Sequence, residues 1–204
     1  SETGSGRAPL YLAASQSDHD SVLRLLLDKD ADPNLTTLNG RTPLMAAAGA
    51  GELSMVKMLL EHKANPKAAM GTGSTALFDG ARSRNLAVVR SLLDAGADVN
   101  TSTKRRETVL GLAAMQGSED MVNLLLERGA EVNVRDERGY SPLMYAAYSE
   151  AVPAGIVRTL LAKGADTSIT GEGETAQSLA GKRGDNEVAR LLGVSELQRK
   201  TGGV

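Results

Sequence analysis

One short phrase recurs six times along this 204-residue chain at nearly constant spacing. The six copies are Ala8-Pro9-Leu10, Thr42-Pro43-Leu44, Thr75-Ala76-Leu77, Thr108-Val109-Leu110, Ser141-Pro142-Leu143 and Thr175-Ala176-Gln177. Their middle residues are 9, 43, 76, 109, 142 and 176, so the steps between them are 34, 33, 33, 33 and 34. Repetition at this period predicts a stack of similar units, each of which buries its apolar face against its neighbours.

Two apolar segments follow each phrase and predict a pair of helices. The first segment is rich in alanine, as in Met45-Ala46-Ala47-Ala48, and the second is rich in Leu, Val and Met, as in residues 22–27 and 55–60. Isolated helices below about 12–15 residues are marginal in water, so these pairs are expected to be stable only when stacked. Phrases such as Gly96-Ala97-Asp98 then end the second helix, because Gly accepts the left-handed backbone of a C-cap.

This combination of period, phrase and helix terminator resembles the ankyrin-repeat family, whose units carry Thr-Pro-Leu-His-x-Ala, two helices and Gly-Ala-Asp-Val-Asn. The resemblance covers about residues 7–194. It implies an all-α ankyrin-repeat solenoid of helix-turn-helix units with short β-hairpin loops. Six repeats are expected in one continuous domain, the first without its full hairpin and the last as a C-terminal cap, at about 7–36, 37–69, 70–102, 103–135, 136–169 and 170–194. Residues 1–6 are interpreted as a disordered tail or an expression scar, and residues 195–204 as a C-terminal tail.

The chain departs from the family pattern at several positions. The family His is replaced in all six phrases, by Tyr11, Met45, Phe78, Gly111, Met144 and Ser178. The resemblance implies that this His ties down the hairpin, so the hairpins here are expected to rely more on packing. Lys63 replaces the Gly that ends the second helix of repeat two, and Arg84 replaces the Gly between the helices of repeat three.

Asp79 stands in a first helix where the other repeats have Leu, Ala or Tyr. A carboxylate in the helix packing is costly unless it is paired. Two interpretations stay open. Either Asp79 turns outward or caps a neighbouring backbone group, or it marks a softened third repeat that adjusts when a partner binds.

The composition argues against a catalytic, metal or cofactor site. The chain has no Cys and only two His residues, His19 and His62, both at repeat positions expected to face solvent. The glycines of residues 71–74 and 171–174 directly precede the repeated phrase, which favours hairpin turns over nucleotide-binding loops. We therefore expect no enzyme.

No apolar run approaches the roughly 20 residues of a membrane span. The chain is expected to be soluble, and no compartment follows, although the cytoplasm is favoured over secretion or the periplasm.

The resemblance implies a non-catalytic protein-protein interaction module that binds on its concave face, formed by hairpin tips and first helices. The predicted contact residues are those that the repeat scaffold does not need: Arg41, Arg82, Lys104, Arg105, Glu107, Met115, Arg138, Tyr140 and Tyr148. Tyr and Arg dominate binding hot spots. The basic tip around Lys104 and Arg105 favours an acidic protein or peptide segment.

Other partners are disfavoured. A net charge of -2 and an aromatic content of 2% argue against nucleic acid. The chain is expected to be monomeric on its own. One alternative stays open, a structural or accessory spacer domain of a larger and conceivably catalytic protein.

Overall fold

The computed structural model describes residues 9–148, 154–184 and 187–193. The two predicted tails, 1–6 and 195–204, lie outside the described residues. The chain divides into two compact bodies, Ser1–Lys104 (the N-terminal body) and Arg105–Val204 (the C-terminal body). The continuous domain over residues 7–194 stays a prediction.

The N-terminal body contains three helix pairs, one in each of the first three predicted repeats. The helices are α1 (Pro9–Ala14), α2 (Asp20–Asp28), α3 (Pro43–Ala50), α4 (Leu53–Glu61), α5 (Ala76–Arg82) and α6 (Leu86–Asp94). The first helices α1, α3 and α5 pack in sequence, and the second helices α2, α4 and α6 form a second layer against them.

The C-terminal body repeats this arrangement. Its helices are α7 (Val109–Gln116), α8 (Glu119–Glu127), α9 (Pro142–Tyr148), α10 (Ala154–Ala162) and α11 (Ala176–Arg183), followed by helical residues 187–193. Strands β1 (Thr170–Gly171) and β2 (Glu174–Thr175) pair antiparallel in the last hairpin. The predicted all-α fold class is confirmed.

From the second repeat onward, the Thr or Ser of the repeated phrase caps the first helix. The Thr42 hydroxyl accepts a hydrogen bond from the Met45 N–H at 3.2 Å. Such a cap satisfies one of the unpaired N–H groups of the first turn and contributes about 1 kcal/mol. In the last repeat Ser178 occupies the family His position, and its hydroxyl accepts from the Thr175 N–H at 2.9 Å to complete a capping box. In this repeat a side-chain hydrogen bond, and not packing alone, fixes the end of the hairpin.

Backbone hydrogen bonds close the hairpins and join neighbouring ones. The Thr37 N–H donates to the Arg41 carbonyl at 2.9 Å across the second hairpin. Between the third and fourth hairpins the Lys104 N–H donates to the Thr72 carbonyl at 2.8 Å. These bonds need no particular side chain, so the hairpins form although the family His is missing.

Small residues let the two helix layers approach closely. Alanines of the first helices are fully buried, including Ala47, Ala48 and Ala81. At Gly80 an added Cβ would lie 3.0 Å from Val88 Cγ1, so the substitution of Gly for Ala brings α5 against α6. In the described part of the chain no helix is long and apolar enough to cross a membrane.

Lys63 tests the argument that the residue after the second helix favours Gly because its backbone is left-handed. It holds a φ of 66°, the left-handed region that costs a non-glycine residue about 1–2 kcal/mol. Part of that cost is offset because Lys restricts the unfolded chain more than Gly does. We expect Lys63→Gly to raise the free energy of unfolding by about 0.5–1 kcal/mol in urea titrations.

The control for this test is Lys57→Gly, at an exposed position inside α4. It should lower the free energy of unfolding by about 1 kcal/mol, since Gly is a poor helix former. If both variants were destabilised, the left-handed strain at Lys63 would be excluded.

Candidate functional site

A buried carboxylate organises the fifth hairpin. Asp136 is 7% exposed, and its Oδ1 accepts from the N–H groups of Arg138 at 2.9 Å and Tyr140 at 2.7 Å. Its Oδ2 accepts from the Tyr145 hydroxyl at 2.6 Å. Asp136 therefore closes the hairpin turn and ties it to helix α9.

The Tyr145 ring fits because the neighbouring repeat has Gly111 at the family His position. A Cβ at Gly111 would lie 3.5 Å from Tyr145 Cδ2, so a large side chain there would overlap the ring. Burial and the hydrogen bond with Asp136 raise the pKa of Tyr145 well above the usual value near 10. Glu107, one of the predicted contact residues, is half-buried and lines the small pocket around Tyr145.

The prediction that Tyr140 offers an exposed contact surface is wrong. Only 6% of Tyr140 is exposed. Its ring packs edge-on against Tyr145, with centroids 5.7 Å apart, and the Arg138 guanidinium lies 4.4 Å from its centroid. The ring is buried because the hairpin places it between these two side chains.

Arg138 is half-exposed but already holds a carboxylate. Its Nε and Nη2 donate to the two carboxylate oxygens of Glu172 at 2.9 and 2.8 Å. This hydrogen bonding raises the pKa of Arg138 and lowers the pKa of Glu172. Arg138 therefore links the fifth and sixth hairpins. An acidic group of a partner could bind Arg138 only by displacing Glu172.

In the N-terminal body, Arg41 is likewise engaged. Its Nη2 donates to Asp79 Oδ2 at 2.8 Å, and Asp79 is only 7% exposed. Burial raises the pKa of Asp79, although the charges of Arg41 and Arg82 oppose the shift. The outward rotation expected for Asp79 is wrong: it remains in the packing because an arginine from the preceding hairpin reaches it.

Three predicted cations are exposed: Arg82, Lys104 and Arg105. The guanidinium of Arg82 lies 5.6 Å from the centroid of the Phe78 ring on its own helix. The Arg105 carbonyl accepts a hydrogen bond from the Glu137 N–H at 2.9 Å, which joins the fourth hairpin to the fifth.

Two predicted apolar contacts are also exposed. Met115 is 42% and Tyr148 is 60% exposed. They hold equivalent positions at the ends of α7 and α9, which pack against each other. The repeat therefore presents both side chains on the same side of the first-helix layer of the C-terminal body.

The predicted site omitted Leu38, at the tip of the second hairpin. It is 88% exposed, the highest value among the exposed large apolar side chains of the described residues. Its place on the tip follows from the repeat, but a preference for Tyr and Arg gave an aliphatic residue no weight. The available signal was an apolar residue in a turn where polar residues are usual.

Both histidines are half-buried, so the expectation that they face solvent is wrong in part. His62 Nδ1 lies 2.9 Å from the Met58 carbonyl, a contact that serves the end of helix α4. Within the described ranges, no group of three or more His, Asp or Glu side chains is placed to hold a metal ion.

Comparison with known families agrees with the fold. The family model described as "Ankyrin repeats (3 copies)" matches residues 10–103 and again residues 99–170. These matches cover well over half of the chain, and the protein belongs to the ankyrin-repeat family. Ankyrin repeats are generally protein-protein interaction modules and are typically non-catalytic. A search of curated proteins returned no match.

Tyr145→Phe tests the buried network of the fifth hairpin. It removes the donor to Asp136 and should lower the free energy of unfolding by about 1.5–3 kcal/mol at pH 7. Because the folded pKa of Tyr145 is raised, its contribution is fully present below pH 10 and is lost as the pH rises further. Urea titrations from pH 7 to 11.5 should therefore show the gap between wild type and Tyr145→Phe narrowing only above about pH 10.

The matched control is Tyr148→Phe, which alters an exposed ring and should leave stability within about 0.5 kcal/mol of wild type. A gap for Tyr145→Phe that is constant up to pH 11.5 would contradict the assignment.

A double-mutant cycle tests the pair between Arg41 and Asp79. Arg41→Ala leaves a buried carboxylate without its nearest cation and should cost about 2 kcal/mol, discounted because the Arg41 side chain is 32% exposed. Adding Asp79→Ala should recover at least about 1 kcal/mol, because the unpaired charge is removed and repeat two carries Ala46 at the same position. Urea titration measures both; equal stability of Arg41→Ala and the double variant would rule out the coupling.

Proposed function

We propose that this chain binds a protein or peptide segment through hairpin tips and first-helix ends, without catalysis. The observation that carries the proposal is the exposed pair Met115 and Tyr148 at equivalent positions of packed helices. Tyr supplies a large and rigid contact area at low entropic cost, and Met supplies a flexible apolar surface that adapts to a partner.

The pair is specific to the fourth and fifth repeats. The equivalent positions in the other repeats are small or charged: Ser15, Gly49, Arg82 and Lys182. The scaffold therefore does not require Met or Tyr there. The exposed Met115 and Tyr148 are therefore a feature of these two repeats and not of the repeat fold in general.

The charge of the expected partner follows from the cations that remain available. Arg41 and Arg138 each hold a carboxylate of the chain itself. Arg105 lies exposed on the fourth hairpin and forms no ion pair within the described ranges. A segment that combines acidic and apolar side chains suits Arg105 together with Met115 and Tyr148. The N-terminal body offers Leu38, Arg82 and Lys104 for contacts of its own.

Selection of a displayed peptide library on the wild-type chain, followed by titration of the enriched peptides, tests this function. We expect enriched peptides to carry Asp or Glu beside apolar residues. Combined Met115→Ser and Tyr148→Ser should weaken their binding at least ~10-fold, since each buried hot spot contributes more than about 1 kcal/mol. Arg105→Glu should weaken binding and reduce its dependence on salt.

Arg90→Glu is the matched control, because Arg90 is an exposed cation on the second helix α6. It should leave peptide affinity unchanged. Peptides whose affinity falls equally in Arg90→Glu and Arg105→Glu would indicate non-specific attraction. Failure to enrich any peptide would favour the alternative, a structural or accessory spacer domain.

A further inference from the structure

The first repeat exposes apolar side chains of a kind that the other repeats bury. In helix α2, Val22 is 44% exposed and Leu25 is 59% exposed. Leu26 on the same helix and Tyr11 on helix α1 are half-buried. Val22, Leu25 and Leu26 fall at i, i+3 and i+4, so they lie on one side of α2. We call Tyr11, Val22, Leu25 and Leu26 the end face.

The side chains at the positions of later repeats that are equivalent to Val22 and Leu26 are buried. The counterparts of Val22 are apolar and at most 1% exposed: Met55, Val88, Met121, Ile156 and Val188. The counterparts of Leu26 are all leucines with no exposure: Leu59, Leu92, Leu125, Leu160 and Leu192. Tyr11 corresponds to Met45, Phe78 and Met144, which are 0%, 3% and 1% exposed. The end face thus has the composition of an internal repeat contact.

The fold itself indicates what covers such a face. Helix α4 packs against α2 and helix α6 against α4 in the N-terminal body, and helix α10 packs against α8 in the C-terminal body. Within each body, a second helix therefore meets the second helix of the repeat before it. Among the described helices, α2 packs against α1 of its own repeat and against α4 of the next one. Its side toward a preceding repeat is the side on which the end face lies.

The sequence ahead of α1 has a matching pattern. Thr3, Gly6 and Arg7 repeat the spacing of Thr37, Gly40 and Arg41, which form the second hairpin. Terminal repeats of such arrays need a polar outer face for solubility, and the end face is apolar. By composition and by spacing, the outer side of the first repeat resembles the surface that internal repeats bury against a neighbour.

We propose that the end face binds a further ankyrin-type helix pair, stacked on α1 and α2 in the same register as the internal repeats. The end face includes residues of both helices of the first repeat, Tyr11 on α1 and Val22 on α2. A single helix would therefore cover only the first-helix layer or only the second-helix layer. A second copy meeting face to face would reverse the head-to-tail order that all described repeat contacts follow. A helix pair with an apolar second helix satisfies both conditions.

The chain's own second repeat can serve as the probe. Residues 37–69 are fused directly ahead of Thr3, which keeps a step of 33 residues between Pro43 of the added copy and Pro9. We expect amide hydrogen exchange in α2 to slow at least ~10-fold relative to the unfused chain, because α2 becomes an internal helix. The urea midpoint should rise in parallel.

Matched variants make the result specific. Val22→Glu with Leu25→Glu should leave the unfused chain folded, since both side chains are exposed. In the fused chain the same pair should abolish the slowing of exchange in α2. Unchanged exchange after fusion, or slowing that survives the Glu pair, would overturn the proposal.

Sedimentation of the unfused chain tests whether a second copy of the chain, and not a helix pair, covers the end face. A monomer across the accessible concentration range supports a helix pair as the occupant. A dimer that Val22→Glu dissociates would show that a second copy covers the end face, and it would overturn the proposed occupant. Neither outcome depends on the peptide-binding face, because Met115 and Tyr148 are unchanged in every variant.

Discussion

Burial of aliphatic side chains between successive repeats is the interaction on which the rest of the structure depends. The helices of the described repeats are 6 to 9 residues long, so none is stable alone. Alanines at the helix crossings and leucines at recurring positions of the second helices, such as Leu59 and Leu92, are fully buried. The hairpins take their positions from this packing. Backbone hydrogen bonds join some of them, and the Arg138 side chain joins the fifth hairpin to the sixth through Glu172.

Polar groups inside such a stack must find hydrogen-bond or ion-pair partners within it. Asp79 is paired by Arg41, and Asp136 accepts from two backbone N–H groups and the Tyr145 hydroxyl. Asp79 stands where the other repeats have Leu, Ala or Tyr, and Tyr145 packs beside Gly111, which replaces the family His. These contacts stabilise the stack. They also reduce the number of cations available to a partner, because Arg41 is paired with Asp79 and Arg138 with Glu172.

The local pattern predicted most of the fold. The two apolar segments after each phrase predicted a pair of helices, and the described residues form such pairs. The pattern did not reveal the surroundings of Tyr140 and Arg41, both of which were expected to contact a partner. Their environment depends on Tyr145, Arg138 and Asp79, whose positions relative to them are set by the folded chain. Arg41 and Asp79 are 38 residues apart, and no sequence spacing alone shows that their side chains meet.

The sequence by itself determined the period, the paired helices, the glycines that end several second helices and the family, because these depend on short-range residue choices repeated about every 33 residues. The tertiary structure decided which side chains stay accessible. Val22 is exposed while Met55 is not, and Tyr148 is exposed while Tyr140 is buried. Similar residue types differ in this way because exposure depends on the neighbouring repeat, and a neighbour is defined only when the chain has folded.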